Sequence, residues 1–263
     1  MAGLADASQA GHVTDMAEDS RVSFIIAGVQ KAGTTALFDY LSEDPGISLS
    51  REKEVHFFDD ETQDWARPDY AAYHANFAPW DGRPRGEATP IYLYWPNCLA
   101  RIAAYNRAMR LVVLLRDPVE RAWSHWKMEY ARGAETRPFA WCIRQGRRRL
   151  LDAEPWGHHR EFSYVERGFY GEQLEALFGL FPRDQVLVLR AEDLNRDPGG
   201  ILAKIREFLA FPPRAAPEPR QVHVGREMDY GSELTAEDAR FLRGLYATDQ
   251  ARLAALTGIV FNG

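Results

Sequence analysis

The sequence holds no apolar run near the ~20 residues that a membrane-spanning helix requires. Its first twenty residues also lack the basic start and apolar stretch of a secretory signal. Only two cysteines occur, Cys98 and Cys142, far apart and without metal-ligand spacing, which argues against a disulfide framework and a zinc site. Positive charge is not in excess either: 32 Lys and Arg against 38 Asp and Glu give a formal net charge of −6, so the surface as a whole is not built to bind nucleic acid. No internal repeat is visible. From these absences we expect a cytoplasmic protein that uses no metal, and the sequence leaves its oligomeric state open. Residues 1–20, polar and rich in Ala and Asp, read as a flexible N-terminal tail. The chain has 263 residues and 46% hydrophobic content, enough for a full α/β core, and residues 21–263 read as one domain.

What is present is an alternation of short apolar runs with helical periodicity, the pattern of a parallel sheet covered on both faces. Strands are expected over 23–27, 47–49, near 86, over 110–115 and over 185–189. Helices are expected over 34–41, 69–77, 97–105, 119–130, 170–180, 199–209 and 235–256. The first unit is the most informative. Ser23 to Ala27 is a buried-strand run, Gly28 and Gly33 bracket a loop carrying Gln30, Lys31 and Ala32, and Thr34 and Thr35 open a helix. Glycine permits tight turns and close backbone approach, and free N–H groups at a helix start favour an anion. The glycine spacing matches the start of the Walker pattern, but Thr34 stands where that pattern places lysine, and Lys31 lies inside the loop. The loop therefore suits a phosphate-bearing ligand other than the usual nucleoside triphosphate.

The second apolar strand, Arg110 to Leu115, ends in Arg116-Asp-Pro118, and Ser124 follows eight residues after the arginine inside the next helix. Ligands of open α/β sheets gather at the carboxyl ends of strands. An Arg and a Ser converging there can grip a second phosphate through charge-assisted and hydroxyl hydrogen bonds. Two such grips imply a nucleotide with separated phosphates.

This pair of motifs resembles that of sulfotransferases that use 3′-phosphoadenosine 5′-phosphosulfate (PAPS) and release 3′-phosphoadenosine 5′-phosphate (PAP). The resemblance runs over most of residues 22–260. It is nearest to the heparan sulfate glucosaminyl 3-O-sulfotransferase and N-sulfotransferase branch and its bacterial relatives. It is carried further by Lys53-Glu-Val-His-Phe-Phe-Asp59, Gly86-Glu-Ala-Thr-Pro90, Arg167-Gly-Phe-Tyr170, Phe181-Pro-Arg-Asp-Gln-Val-Leu-Val-Leu189 and Val224-Gly-Arg226. It implies a single-domain, P-loop-like three-layer α/β fold with a central parallel β-sheet flanked by helices. It further implies that Gln30, Lys31, Ala32, Gly33, Thr34 and Thr35 hold the 5′-phosphosulfate. Arg116 and Ser124 would hold the 3′-phosphate, and Gly225 and Arg226 would lie in a loop over the cofactor.

Sulfuryl transfer needs a base for the acceptor proton and cations for charge moving onto the leaving phosphate. Lys31 is the cation. By the resemblance Glu54 is the first candidate base, with His56 and Asp59 orienting or polarising it, and Glu87 is the second. In the commoner family pattern a lysine follows that second Glu, and here Ala88 does. Glu87 reads equally well as a structural carboxylate capping a helix or paired with an arginine. Phe57, Phe58, Trp123 and Trp126 read as core, and Arg121 as structural, paired with Asp117 or Glu120. Residues 137–165 are rich in Arg, Trp and His, and read either as an acceptor lid or as a solvated face. The acceptor is expected to be a small molecule or glycan. A nucleotide kinase and a noncatalytic nucleotide-binding module are the alternatives. The first wants a lysine after the second glycine, and the second would not need a candidate base.

Overall fold

In the computed structural model, residues 20–154, 157–214 and 228–261 are described. The expected tail falls almost wholly outside them, as do Gly225 and Arg226. Five apolar runs form a parallel sheet: β1 (Val22–Gly28), β2 (Ser48–Leu49), β3 (Arg85–Ala88), β4 (Arg110–Leu115) and β5 (Val186–Arg190). They lie in the order β2-β3-β1-β4-β5. Strand β1 is central and its flanking residues Phe24 to Ala27 are fully buried, as expected where helices cover both faces. The chain winds from β1 out to β2, back to β3, then across β1 to β4. The strand order thus reverses at β1, and the carboxyl ends of β1 and β4 open a crevice there.

The helices are α1 (Thr34–Ser42), α2 (Tyr70–His74), α3 (Cys98–Tyr105), α4 (Pro118–Arg132), α5 (Phe139–Cys142), α6 (Tyr170–Leu180), α7 (Ala191–Arg196), α8 (Pro198–Phe208) and α9 (Ala236–Thr257). Their boundaries follow local chemistry. Asp117 caps α4 by accepting from the N–H groups of Val119 and Glu120, with Pro118 at the first helical position, and Gly133 in the left-handed region ends it. Thr235 and Asp238 form a capping box at the start of α9. Helix α7 was not expected. It follows β5 without a turn residue, and only Asp197, which caps α8, separates the two helices.

Apolar side chains form two clusters. One surrounds the sheet. The other lies between α4, α9 and the segment after α4, and includes Val119, Trp126, Phe139, Ile143, Tyr164, Val165, Leu242 and Tyr246. The Arg- and Trp-rich stretch therefore helps to enclose a second core. Trp123 and Trp126 stack with ring centroids 4.9 Å apart, and Trp126 is buried as its spacing predicts. Arg121 is structural, but its partners differ from those expected. Fully buried, it donates to the carbonyl of Tyr164 and lies 3.4 Å from His125 Nδ1, because its position on α4 faces the second core and not solvent.

Candidate active site

The loop from Gly28 to Gly33 joins the end of β1 to the start of α1. Gly33 sits at φ 90°, in the left-handed region that favours glycine, and no side chain caps the helix at that point. The first-turn N–H groups of α1 thus stand as an anion cradle. A Cβ on Gly33 would meet only Leu194 Cδ2, at 3.8 Å, so the glycine serves backbone conformation and not packing. Ala32 and Thr34 are buried, whereas Gln30, Lys31 and Thr35 are half-buried. Burial lowers the pKa of Lys31, and the nearby charges of Arg132 and Arg116 lower it further. A bound anion would relieve both effects.

Arg116, at the carboxyl end of β4, reaches across to this loop and donates from Nη1 to the carbonyl of Lys31 at 3.3 Å. The hydroxyl of Tyr170, itself fully buried, donates to the Arg116 carbonyl at 2.9 Å and so holds the strand end in place. Ser124 lies in the second turn of α4, which starts two residues after Arg116. The uncapped amides, Lys31 and Arg116 together make a cationic, donor-rich crevice of the kind that can receive an anion.

Opposite the loop, the segment after β2 carries Glu54 and His56. Both adopt positive φ, 65° and 56°, which costs a non-glycine residue about 1–2 kcal/mol. The Glu54 N–H donates to the Ala88 carbonyl at 2.9 Å, fastening this segment to the end of β3. Glu54 pairs with the Lys53 ammonium, and its Oε2 lies 3.4 Å from His56 Nε2. The other ring nitrogen, His56 Nδ1, lies 2.9 Å from Asp59 Oδ2. Burial disfavours the charge on Glu54, but the His56 hydrogen bond and the Lys53 charge outweigh it and hold the carboxyl down at about 2. Hydrogen bonds to Asp59 and Glu54 raise His56 to about 9, so its ring is a cation at neutral pH and cannot itself accept the acceptor proton. Asp59 is fully buried. Burial pushes its pKa up, but hydrogen bonds from His56 and Arg160 bring it below the ordinary value.

Glu87 is placed differently. Its carboxylate is fully buried and accepts from Tyr73 at 2.7 Å and Thr89 at 2.6 Å, with the Tyr92 hydroxyl at 3.4 Å. It neither caps a helix nor pairs with an arginine, the two structural roles expected for it. Its partners are hydroxyls, because β3 turns it into an aromatic cluster of Phe57, Phe58, Tyr73, Tyr92 and Tyr105. Desolvation, only partly offset by those hydroxyls, raises Glu87 to about 7.

A cleft of about 740 Å³ brings the loop and the Glu54 segment together. Gln30, Glu54, His56, Asp60, Pro90, Ile91, Glu129, Arg132, Ala134, Arg160, Glu161 and Arg167 line it. Glu87 is not among the lining residues. Several of these positions carried no signal of their own. Glu129 stood out in no motif, yet it is nearly buried against His125 and Arg132. Arg167 belonged to a quoted motif without a role. Its buried guanidinium donates to Gln30 Oε1 and to the Arg160 carbonyl, each at 2.6 Å. Arg160 in turn donates to Asp59. A continuous set of contacts thus runs from Gln30 through Arg167, Arg160, Asp59 and His56 to Glu54.

Three other arginines of the expected lid are bound to carboxylates, Arg144 to Asp238, Arg147 to Glu166 and Arg149 to Glu135, and Arg137 lies over the Trp141 ring. Arg148 is exposed. Most of this basic stretch fastens the second core, so its composition reflects internal pairing more than solvated charge.

Comparisons with known proteins agree with this geometry. A sulfotransferase from Alicyclobacillus acidocaldarius superposes with a TM-score of 0.77 and 27% identity, covering 92% of this chain and 97% of that one. The human heparan sulfate glucosamine 3-O-sulfotransferase 3B1 is 31% identical over 189 residues, covering 71% of this chain and 45% of the relative. The membrane-associated sulfotransferase kil1 of Dictyostelium discoideum is 23% identical over 274 residues, covering 71% of this chain and 55% of that protein. The chain therefore spans about half the length of these curated relatives. The sulfotransferase domain model matches residues 21–224, most of the crevice and cleft described above, and the chain belongs to the sulfotransferase domain family.

Proposed function

We propose that this chain transfers a sulfuryl group from PAPS to a hydroxyl or amine of an acceptor and releases PAP. The observation that carries this reading is that Glu54 and the donor-loop residue Gln30 line one cleft, with Lys31 near enough to feel the charge of Glu54. When bound, the donor supplies an activated sulfuryl group on a phosphate leaving group. The amides at the start of α1 and the Lys31 ammonium bind its 5′ end and neutralise the charge left on phosphate as the sulfur–oxygen bond breaks. Arg116 and Ser124 bind the 3′-phosphate, and Gly225 and Arg226 belong to the cofactor loop implied by the family motif. Glu54 takes the acceptor proton as the acceptor oxygen or nitrogen bonds to sulfur. His56, held by Asp59, orients Glu54.

Two considerations pull apart on the base. Glu87, at about 7, has the pKa better matched to proton transfer near neutrality, but it is sealed among tyrosines. Glu54, at about 2, is a weak base but faces the cleft. A base must first reach the proton it removes, so the cleft-facing Glu54 is the better assignment. Loss of its contact with Lys53 on acceptor entry would raise its basicity.

The test is thermal unfolding with PAP, with ATP and with no ligand. PAP should raise the melting temperature and ATP should not. Stabilisation by ATP alone would overturn the reading in favour of a triphosphate-binding protein.

A further inference from the structure

Among the described residues that line the cleft, Gln30 alone comes from the loop between Gly28 and Gly33, and Lys31 follows it in the chain. A carboxamide has one end that accepts hydrogen bonds and one that donates them, so what Gln30 offers a ligand depends on which end is turned inward. Arg167 settles that choice. Its Nη1 meets the Gln30 amide at 2.6 Å, and a guanidinium has donors but no acceptor, so the amide oxygen is the end that must face it. The reversed amide would set N–H against N–H at a buried contact and leave both unpaired. Gln30 Nε2 is thereby directed away from the arginine. It has no partner among the described residues and is not sealed from solvent, so it is open to the cleft that Gln30 lines.

Arg167 itself has little freedom to move. It is 3% exposed, its Nη2 donates to the Arg160 carbonyl at 2.6 Å, and its guanidinium lies 5.0 Å from the centroid of the Tyr94 ring. The main chain on either side is held against α9. The Tyr246 hydroxyl donates to the Val165 carbonyl at 2.9 Å, and a Cβ on Gly168 would lie 2.5 Å from that same hydroxyl. Burial lowers Arg167 to about 10, which still leaves it charged at neutral pH. A cation so confined cannot follow the amide if it turns, so the amide conforms to the arginine.

We propose that Arg167 is a positioning residue for sulfuryl transfer: it holds Gln30 with the amide N–H groups turned into the cleft, where they donate to an oxygen of the sulfuryl group on the donor. This rests on the reading of the site as that of a PAPS-dependent sulfotransferase. The oxygens of a sulfuryl group only accept hydrogen bonds, so the amide nitrogen suits them and the amide oxygen would repel them. PAP has lost the sulfuryl group and cannot make the contact. Arg167 therefore distinguishes the donor from its product through Gln30.

The experiment is calorimetric titration of the full chain with PAPS and with PAP, without an acceptor, for wild type, Gln30→Leu, Arg167→Met and the double variant. Each single substitution should lower the affinity for PAPS by about fivefold to tenfold relative to that for PAP, as expected for one lost hydrogen bond. The double variant should lose no more than the larger single loss, because Arg167 works through Gln30. An arginine that served only the fold would weaken both nucleotides alike, so an unchanged PAPS-to-PAP ratio in either single variant would overturn the proposal. Losses that add in the double variant would do the same. Should Arg167→Met not fold, Arg167→Gln takes its place. Glutamine can meet either end of the Gln30 amide, so the ratio should fall although a hydrogen bond remains, and a wild-type ratio there would count against the proposal. A wild-type chain that binds neither nucleotide would remove the functional reading and this proposal together, whereas binding of both with ratios insensitive to these substitutions would remove the proposal alone.

Discussion

Arg160 grips Asp59 twice, with one Nη on the carboxylate and the other 2.5 Å from the main-chain carbonyl, although 101 residues separate the two in sequence. The guanidinium also lies over the Trp95 ring, 4.4 Å from its centroid. Asp59 has no solvent exposure, so its charge is tolerable only because Arg160 and His56 meet it. The contact fastens the segment leading into Tyr164 and Val165 of the second core to the segment that bears Glu54.

Arg160→Leu should therefore destabilise the fold by about 2 kcal/mol, less than a fully buried pair would cost because Arg160 is itself part-exposed. In Arg160→Leu, Asp59→Asn much of that loss should return, since the unpaired buried charge is gone. Urea denaturation of the four proteins in a double-mutant cycle checks this. A coupling energy near zero would mean that the pair is dispensable.

The donor loop is expected to fail in two distinguishable ways. Gly33→Ala makes only an ordinary contact with Leu194 but forces alanine to φ 90°, costing about 1–2 kcal/mol of stability and tilting the amides at the start of α1. Lys31→Ala removes a charge from a partly desolvated site, and should weaken PAP binding by about tenfold to a hundredfold while changing stability little. Calorimetric PAP titration beside thermal melts separates the two. Equal PAP affinity in Lys31→Ala and wild type would remove that lysine from the donor site.

The assignment of the base predicts a contrast between two carboxylates. Once an acceptor is found by mass-detected sulfate transfer from PAPS, Glu54→Gln should lower kcat by about a hundredfold or more with PAP affinity nearly unchanged. Glu87→Gln should leave kcat within about threefold if its role is internal. The reverse pattern would make Glu87 the base and require that the aromatic cluster open during turnover.

The parts of this site legible in the sequence are those that local rules write. Continuous apolar runs marked β1 and β4. Two glycines marked the loop between β1 and α1, and Asp117-Pro118 marked the start of α4. Less was visible where long-range packing decides. The partners of Arg144, Arg147 and Arg149 lie 94, 19 and 14 residues away, beyond the reach of any short motif, so a stretch that looks like a charged lid is bonded against a second core. The Arg160–Asp59 grip and the Arg167–Gln30 bond join segments that no short motif relates. Glu87 illustrates the same limit, because its motif indicates a carboxylate at a strand end, whereas its surroundings come from α2 and from the loop after β3.

The raised pKa of Glu87 also has a consequence for stability that needs no acceptor. Its carboxyl titrates at about 7 in the fold against an ordinary 4.5, so between those values the native state holds a proton that the unfolded chain has released. Stability must then fall as pH rises from about 4.5 to 7, by on the order of 3 kcal/mol if burial alone sets the difference. His56 acts in the same direction in a higher window: raised from 6.5 to about 9, its contribution is full below 6.5 and is lost as pH rises through 9. From about pH 5 to 6.5 the lowered pKa values of His125, His74 and His159 act in the opposite direction and the raised Glu129 in the same one, so Glu87 is isolated by difference. Across that interval the melting temperature of the wild type should fall by about 3–6 °C relative to that of Glu87→Gln. The decline from pH 7 to 9 should persist in Glu87→Gln and flatten in His56→Asn. Parallel melting curves for wild type and Glu87→Gln below pH 6.5 would show that Glu87 ionises normally in the fold. The hydroxyls of Tyr73 and Thr89 would then be stabilising its charge more than burial opposes it.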